Sequence, residues 1–368
     1  MNLKYSVGLD VSSKKINACI SVIDQKQKVT VKSSCVISNT RKGFEDLEHW
    51  ILKHQKESLP VVVCMEATGI YHENCSYYLF EKGFSVSVVL PNKAKKYLEA
   101  IGLKSKNDSI DAKGLSQMGA EQCLELWEPM GLFFYQLRSL TRQHQNVMEL
   151  KTVLKNQLDA VRFAMHQSDE VIRQLEQTIA LFESQIKDLS KAIKKHMDSD
   201  ADISVRCKSL LKMKGLGELT LATVLAETNG FELFKNYKQL VSYAGYDVVE
   251  AQSGTRVGKT KISKKGNSRI RRALYMPSLV LIQCNVKKYK DLFDRTYEKH
   301  GIKMKSYVAV QKKLLVMIYH LWKKKQEYNP DYEKNIQEKE QVTCSLSAFE
   351  KSKKNSLNNL RLHKVNVQ

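Results

Sequence analysis

The chain has 368 residues, enough to bury a sizeable core and to form two or three domains. Its 60 Lys and Arg residues against 39 Asp and Glu give a formal net charge of +21, which favours a polyanionic partner such as nucleic acid. No apolar run approaches the roughly 18 residues of a membrane-spanning helix, and the N-terminus lacks a signal-peptide core. A membrane partner is therefore not expected.

The eight cysteines are scattered along the chain, and no two of them form a C-x-x-C pair. This spacing predicts neither a zinc site nor a disulfide framework, and it is typical of reduced thiols in a cytoplasm. Together with the charge, it indicates a soluble, intracellular protein that binds nucleic acid.

Residues 1–128 alternate strand and helix signals and are predicted to form the first domain. The predicted strands are Tyr5–Val11, Ile16–Ile23, Val29–Val36, Val61–Met65 and Phe84–Leu90. The predicted helices are Gly43–Lys53, Tyr71–Glu81, Asn92 to about Ala100, and one that begins at Asp108. Three strands in quick succession, followed by alternating helices and strands, predict an α/β domain of the RNase H-like (RuvC-like) class.

Four acids occupy the places where this fold would bring them together. Asp10 closes the first strand, Glu66 closes the fourth, and Asp108 and Asp111 share one face of the helix that follows. Carboxylates gathered at one sheet edge repel each other unless divalent cations separate them, and sites made only of oxygen ligands suit Mg²⁺ or Mn²⁺. Two such ions about 4 Å apart can assist phosphodiester cleavage. The four acids are therefore predicted to be catalytic metal ligands.

Each acid taken alone has a simpler explanation. Asp10 could be an ordinary turn acid, Glu66 a common strand-end acid, and Asp108 with Asp111 a capping box at a helix start. The combination of all four with the predicted sheet favours a metal site.

Residues 129–203 are predicted to form a long helical coiled coil. An a/d seam without a break is made by Ile172, Leu175, Ile179, Phe182, Ile186, Leu189 and Ile193. Two arrangements fit this pattern equally well. The helices can pack within one chain as an antiparallel hairpin that turns near His166–Asp169, they can join two protomers, or they can do both.

Residues 204–328 are predicted to form a mainly helical C-terminal domain that binds nucleic acid. Gly215 and Gly217 precede a helix, and amides at such a turn can hold a phosphate, although a plain turn is an equal alternative. From Arg256 to Lys290 there are eleven Lys or Arg and no acid, which favours phosphate contact over a solvated face. The candidate basic contacts are Arg256, Lys259, Lys261, Lys264, Lys265, Arg269, Arg271 and Arg272.

Residues 329–368 are rich in Lys, Glu, Asn and Ser, with few aromatic residues. This composition predicts a flexible tail.

Several short motifs together resemble one family, the DEDD transposases of the IS-one-ten insertion-sequence family, which are relatives of the Piv-type DNA invertases. The matching stretches are Gly8-Leu-Asp-Val11, Glu66-Ala-Thr-Gly-Ile-Tyr71, Lys106-Asn-Asp-Ser-Ile-Asp-Ala112, Lys214-Gly-Leu-Gly217, Tyr243-Ala-Gly-Tyr246, Gln252-Ser-Gly-Thr-Arg256, Ile262-Ser-Lys-Lys-Gly266 and Arg271-Arg-Ala-Leu-Tyr275. They follow the family's order from about residue 5 to about residue 325.

The resemblance implies roles for individual residues. Asp10, Glu66, Asp108 and Asp111 would bind the metal, and Ser253 would be the nucleophile, with Ser263 as a rival hydroxyl ten residues away. It further implies donor and target DNA as substrates, a structured guide called the bridge RNA, and dimers that pair into tetramers in which one protomer's acids meet its partner's serine. A bacterial cytoplasm, close to the nucleoid, is the expected location.

The expected function is therefore that of a site-specific DNA recombinase or transposase, cutting and rejoining DNA through a metal-assisted serine. The first alternative is a RuvC-like junction nuclease in which water attacks and Ser253 is incidental. The second is a nucleic-acid-binding scaffold without enzymatic activity.

Overall fold

The computed structural model describes residues 1–67, 69–102, 107–250, 252–258 and 260–329. The predicted tail from residue 330 onward and the predicted contact Lys259 lie outside the described residues. The chain divides into two compact units, Met1–Pro129 and Met130–Gln368.

The first unit is built on one five-stranded sheet. Its strands are β1 (Asn2–Val11), β2 (Lys15–Asp24), β3 (Val29–Ser38), β4 (Val61–Glu66) and β5 (Ser85–Val89). Its helices are α1 (Arg41–His54), α2 (Glu73–Glu81), α3 (Pro91–Ala100) and α4 (Asp108–Glu121). The strand order is β3-β2-β1-β4-β5, with β1 to β3 antiparallel and β4 and β5 parallel to β1. This is the RNase H-like topology, and it confirms the predicted α/β class.

The two faces of β1 carry different residues because side chains alternate along a strand. Tyr5, Val7, Leu9 and Val11 belong to a core that also holds the buried face of α1. The residues between them point to the opposite face, where α4 lies. Asp10 belongs to this second set, so its carboxylate is on the α4 side of the sheet.

Helix α4 approaches β1 closely because the facing residues are small. A Cβ atom on Gly8 would lie 2.1 Å from the carbonyl oxygen of Ala112 and 2.1 Å from the amide nitrogen of Ser116. Further along, a Cβ on Gly119 would lie 2.4 Å from Ser6 Oγ. The Ser116 hydroxyl donates a hydrogen bond to the Ser6 carbonyl at 2.9 Å. Glycine at these positions therefore fixes how near the helix can come to the sheet.

The second unit begins with two long helices, α5 (Leu132–Phe163) and α6 (Asp169–Asp198). They pack on each other as an antiparallel hairpin, in which Arg162 pairs with Glu176 and Lys155 with Glu183. Leu158 on α5 and Leu175 and Ile179 on α6 form a small core between them. Of the two arrangements that the heptads allowed, the chain adopts the hairpin. Association between protomers through this region remains a prediction.

The rest of the second unit is mostly helical, as predicted. Its helices are α7 (Ala201–Leu210), α8 (Glu218–Glu227), α9 (Tyr237–Tyr243), α10 (Ser268–Ala273), α11 (Tyr275–Gln283), α12 (Lys287–His300) and α13 (Lys303–Lys323). Between α9 and α10 lie four two-residue strands, β6 (Val248–Val249), β7 (Gln252–Ser253), β8 (Arg256–Val257) and β9 (Lys261–Ile262), paired as β6 with β9 and β7 with β8. Within the described ranges, none of the helices is long and apolar enough to cross a membrane.

Gly8→Ala tests the contact between β1 and α4. The added methyl group would overlap backbone atoms of α4, which cannot rotate away, so the helix must move. We expect a loss of about 3 kcal/mol in the free energy of unfolding, at the upper end of overpacking effects. Urea denaturation measures it. Lys113→Ala, at an exposed position of the same helix, is the control and should change the free energy by about 0.5 kcal/mol or less. Equal stabilities for the two variants would contradict this account.

Candidate functional site

Asp10 and Glu66 stand side by side at the ends of two neighbouring parallel strands. In the β1–β4 register Leu9 is paired with Met65, so the next residue on each strand is one of the two acids. Neighbouring strands are about 4.8 Å apart. Cys64, two residues before Glu66, approaches Gly119 of α4, so Glu66 shares the α4 side of the sheet with Asp10.

Helix α4 brings the other two acids to this edge. It starts at Asp108, and its path along β1 runs from Ala112 beside Gly8 toward Gly119 beside Ser6, so its first turn lies nearest to Asp10. Asn107 caps the helix by accepting a hydrogen bond from the amide of Ile110 at 2.8 Å. Asp108 is therefore not the capping residue, and its carboxylate is available for other contacts.

The charges of the other three acids act on Asp10. Burial, followed by the charges of Asp108, Asp111 and Glu66, raises the pKa of Asp10 from an ordinary 3.8 to about 6. The opposing influence is Lys15, whose Nζ lies 2.8 Å from Asp108 Oδ2. This hydrogen bond lowers the pKa of the Asp108 carboxyl. The predicted acids thus form one coupled cluster, referred to below as the acid cluster.

The donor chemistry of the acid cluster fits a hard divalent cation. It offers four carboxylates, and oxygen ligands are those preferred by Mg²⁺ and Mn²⁺. Burial and the neighbouring carboxylates both raise the pKa of Asp10, and a cation beside it would favour the charged form. Over the described ranges, no three His, Cys, Asp or Glu side chains are already spaced around one metal position.

Ser253 and Ser263 differ in accessibility. Ser253 lies on β7, paired with Arg256 across a hairpin whose turn contains Gly254 at a φ of 54°. The side chain of Ser253 is exposed. The hydroxyl of Ser263 is buried and has no hydrogen-bond partner among the described residues, while its amide donates to the carbonyl of Asp247 at 2.8 Å. Only the first hydroxyl is open to a large substrate.

The basic run contains exposed lysines, and two of its arginines have partners in the same unit. Lys261, Lys264 and Lys265 are exposed. Arg271 instead donates to the carbonyl oxygens of Ala244, at 2.8 Å, and of Gly266, at 3.3 Å. Arg272 pairs with Glu149 of α5. Arg269 is half-buried.

Packing explains one of the two glycines in the Gly-x-Gly turn before α8, namely Gly215. Gly215 has a φ of 78°, and a Cβ there would lie 3.0 Å from the Val280 side chain. Gly217 is the residue before the helix, and a Cβ there would meet nothing within 4 Å. Phosphate binding at this turn remains a prediction.

Two family models match the chain. One, described as a transposase with a DEDD motif, covers residues 7–162, and the other, described as the transposase IS116/IS110/IS902 family, covers residues 207–294. The chain therefore carries transposase domains of the IS110/IS116 family. A pilin gene-inverting protein of Moraxella lacunata is 25% identical over 91% of this chain and 99% of its own length. A probable family 20 transposase of Pseudomonas aeruginosa is 21% identical over 77% of this chain and 86% of its own.

Among solved structures, Thermus thermophilus RuvC in complex with a Holliday junction substrate is 14% identical and covers 32% of this transposase and 93% of its own chain. The TM-score is 0.25, so the RNase H-like assignment depends on the strand order rather than on this likeness.

A buried carboxylate in the second unit of the transposase was not predicted. Glu227, at the end of α8, is 1% exposed. Arg142 of α5 donates to both of its oxygens, at 2.7 and 2.9 Å, and Asn267 donates at 2.7 Å. Burial alone would raise the pKa of Glu227, but these hydrogen bonds lower it overall. Because Asn267 also caps α10, this network connects α5 of the hairpin to α10.

Two residues beside the acid cluster were also missed. Lys15 and Asn17 lie on β2, and Asn17 is paired directly with Asp10 across the β1–β2 ladder. The short connection between the two predicted strands could have revealed this pairing, because it places residues about seven apart opposite each other.

The pKa of Asp10 predicts how stability depends on pH. A folded-state pKa above the ordinary value means that protonation stabilises the fold, fully below pH ~4 and no longer once the pH rises through about 6. The metal-free protein should therefore lose stability between pH ~5 and ~7 relative to Asp10→Asn. Urea denaturation of both proteins at the two pH values measures the double difference. The lowered pKa of Asp108 acts at lower pH, outside this window. Identical pH dependence in both proteins would show that the pKa of Asp10 is not raised in the folded protein.

The Glu227 network predicts a large stability effect. Glu227→Gln removes one partner of an ion pair, for which a loss of about 3–5 kcal/mol is typical when both groups are buried; the partial exposure of Arg142 reduces this figure. The double variant Arg142→Met with Glu227→Met should recover much of the loss, because no charge is left unpaired. A double-mutant cycle from urea denaturation provides the measurement. Additive effects would mean that the pair is not coupled.

Proposed function

We propose that this transposase is a site-specific recombinase of an insertion sequence, which cuts DNA with the acid cluster and Ser253 and rejoins it. The observation that carries the proposal is the placement of four acids from three separate segments at one edge of an RNase H-like sheet. Acids that raise a neighbour's pKa in this way cluster at functional sites. A scaffold without chemistry would have no reason to keep them together.

Mg²⁺ or Mn²⁺, held by Asp10, Glu66, Asp108 and Asp111, would supply Lewis acidity toward the phosphate oxygens. The serine has a separate task. Attack of Ser253 Oγ on phosphorus would form a phosphoserine bond while the bond to the leaving sugar oxygen breaks. The serine proton leaves with a base, and the sugar oxygen takes up a proton. Attack by another strand's hydroxyl would reverse these changes and restore a phosphodiester without further energy input.

The exposed lysines Lys261, Lys264 and Lys265 fit phosphate contact. The proposed nucleic acids are donor DNA, target DNA and a bridge RNA that guides them. The proposed assembly is a dimer that pairs into a tetramer, in which the acids of one protomer meet the serine of its partner. The nucleic acids and the assembly are inferred from the family resemblance and are part of the proposal.

The experiment that tests the proposal looks for a covalent intermediate. Wild-type protein trapped on DNA with its guide should carry an adduct that survives denaturation, because rejoining needs an activated phosphate. Ser253→Ala should lose the adduct and recombination while it keeps RNA binding. Asp10→Asn, Glu66→Gln, Asp108→Asn and Asp111→Asn should lose cleavage and keep binding. Gels under denaturing conditions and peptide mapping of the adduct provide the readout.

Ser263→Ala is the matched control and should remain active, because its hydroxyl is buried. An adduct at Ser263, or recombination by Ser253→Ala, would identify another nucleophile. Cleavage without any adduct would favour the alternative function, a junction nuclease that uses water. Activity in three of the four acid variants would overturn the proposed role of the acid cluster.

A further inference from the structure

The strands that carry Ser253 are short and exposed. Residues 248–262, the serine arm, contain β6 to β9, each of them two residues long. The side chains of β6 and β7 are exposed. A two-stranded hairpin is marginally stable in water unless it packs a hydrophobic face against other elements. The position of Ser253 therefore depends on how the two ends of the serine arm are fixed.

Backbone contacts join the two ends of the serine arm. The amide of Ser263 donates a hydrogen bond to the carbonyl oxygen of Asp247 at 2.8 Å. Further from the arm, the amide of Asn267 donates to the carbonyl oxygen of Tyr243 at 2.7 Å. A Cβ atom on Gly266 would lie 2.4 Å from the same Tyr243 oxygen, so the two segments touch without room for a side chain. These segments form the base of the arm.

Both segments of the base are hydrogen-bonded to one buried residue, Glu227. Tyr243, which precedes the arm, donates its hydroxyl to the Glu227 carbonyl oxygen at 3.1 Å. Asn267, which follows the arm, donates from Nδ2 to Glu227 Oε2 at 2.7 Å. Arg142 of α5 donates to both carboxylate oxygens, at 2.7 and 2.9 Å. One residue thus fixes the two ends of the arm relative to each other and to α5.

We propose that Glu227 is a positioning residue for Ser253 and acts through Asn267 on the base of the serine arm. This inference rests on the proposed function, in which Ser253 Oγ attacks phosphorus. Asn267 is held from two sides, since its Nδ2 is bound to Glu227 and its Oδ1 accepts from the amides of Arg269 and Ile270 in α10. Reaction requires the attacking oxygen about 3–3.5 Å from phosphorus, and a displacement of about 1 Å can reduce the rate about 100-fold.

Arg142 strengthens the contact between Glu227 and Asn267. Its guanidinium group supplies the charge that keeps the buried Glu227 carboxylate ionised, and an ionised carboxylate accepts a stronger hydrogen bond from an amide than a neutral acid does. Because Arg142 belongs to α5, the same contact also sets the base of the serine arm relative to one helix of the hairpin.

Hydrogen exchange of the full-length protein, without DNA, RNA or metal, measures the base of the arm directly. Asn267→Ser keeps an oxygen that can cap α10 but loses the donor to Glu227. In this variant the amides of Ser263 and Asn267 should exchange about 10-fold faster or more, because a hydrogen bond to a charged group is lost. Amides of α13 should keep their wild-type rates.

Thr228→Val is the matched control. Thr228 is buried next to Glu227 in the chain, and its hydroxyl donates to the carbonyl oxygen of Val224 at 2.7 Å. The substitution therefore removes a buried hydrogen bond at the end of α8 and should lower stability, but it leaves the donors to the Glu227 carboxylate in place. Exchange at Ser263 and Asn267 should remain as in the wild type.

The rate of the proposed reaction separates positioning from stability. With DNA and its guide at saturating concentrations, Asn267→Ser should form the Ser253 adduct about 10- to 100-fold more slowly than the wild type, with unchanged affinity for DNA. Arg142→Met combined with Glu227→Met should be slowed as well, although it leaves no charge unpaired and recovers much of its stability. Thr228→Val should react at the wild-type rate.

Wild-type exchange rates in Asn267→Ser would overturn the inference, and so would an equal slowing of adduct formation in Thr228→Val, which would attribute the effect to lost stability. The double methionine variant replaces Asn267→Ser if that protein fails to fold, with the same expectations. A wild-type protein that forms no adduct would end the proposed function and this inference with it. If the wild type forms the adduct and Asn267→Ser forms it equally fast, only the role of Glu227 fails.

Discussion

The contact between Gly8 of β1 and the backbone of α4 determines whether the acid cluster exists. Strand register alone places Asp10 beside Glu66, because both follow the Leu9–Met65 pair. The remaining acids arrive on a helix, and their distance from the strands is set by how closely that helix can pack. A side chain at Gly8 would hold α4 away by the width of a methyl group or more. The geometry of the acid cluster thus depends on the absence of a side chain at Gly8.

The environments of Glu227 and of the acid cluster differ in how well the carboxylates are paired. Glu227 is fully enclosed, and its oxygens receive three hydrogen bonds from Arg142 and Asn267. Asp10 is half-buried beside three other acids. Burial and these acids raise its pKa, and the charge of Lys15 lowers it. A satisfied carboxylate stabilises a fold. Like-charged acids held close together destabilise the fold locally, and the packing of the surrounding sheet has to offset this. Such local destabilisation is typical of functional sites.

Much of the first unit could be predicted, because strand alternation and the helical pattern of α1 are strong signals, and strand order then brought Asp10 and Glu66 together. Asn17 was missed because its pairing with Asp10 follows only once the strand register implied by the short β1–β2 connection is worked out. In the second unit, the heptad pattern fits packing within or between chains equally well. The run of basic residues indicated a positively charged region. It could not show that Arg271 donates hydrogen bonds to the carbonyl oxygens of Ala244 and Gly266, or that Arg272 pairs with Glu149.

The proposed reaction requires rigid positions for the acids and an accessible position for the serine. Metal ligands must be held within a fraction of an ångström, which suits the ends of buried strands and a tightly packed helix. A nucleophile that becomes bonded to DNA and later released has to remain accessible throughout. Ser253, exposed beside the left-handed turn at Gly254 on strands of only two residues, meets that need. Ser263, with a buried hydroxyl, does not. Accessibility therefore supports the same serine as the motif, by an argument that does not use the motif.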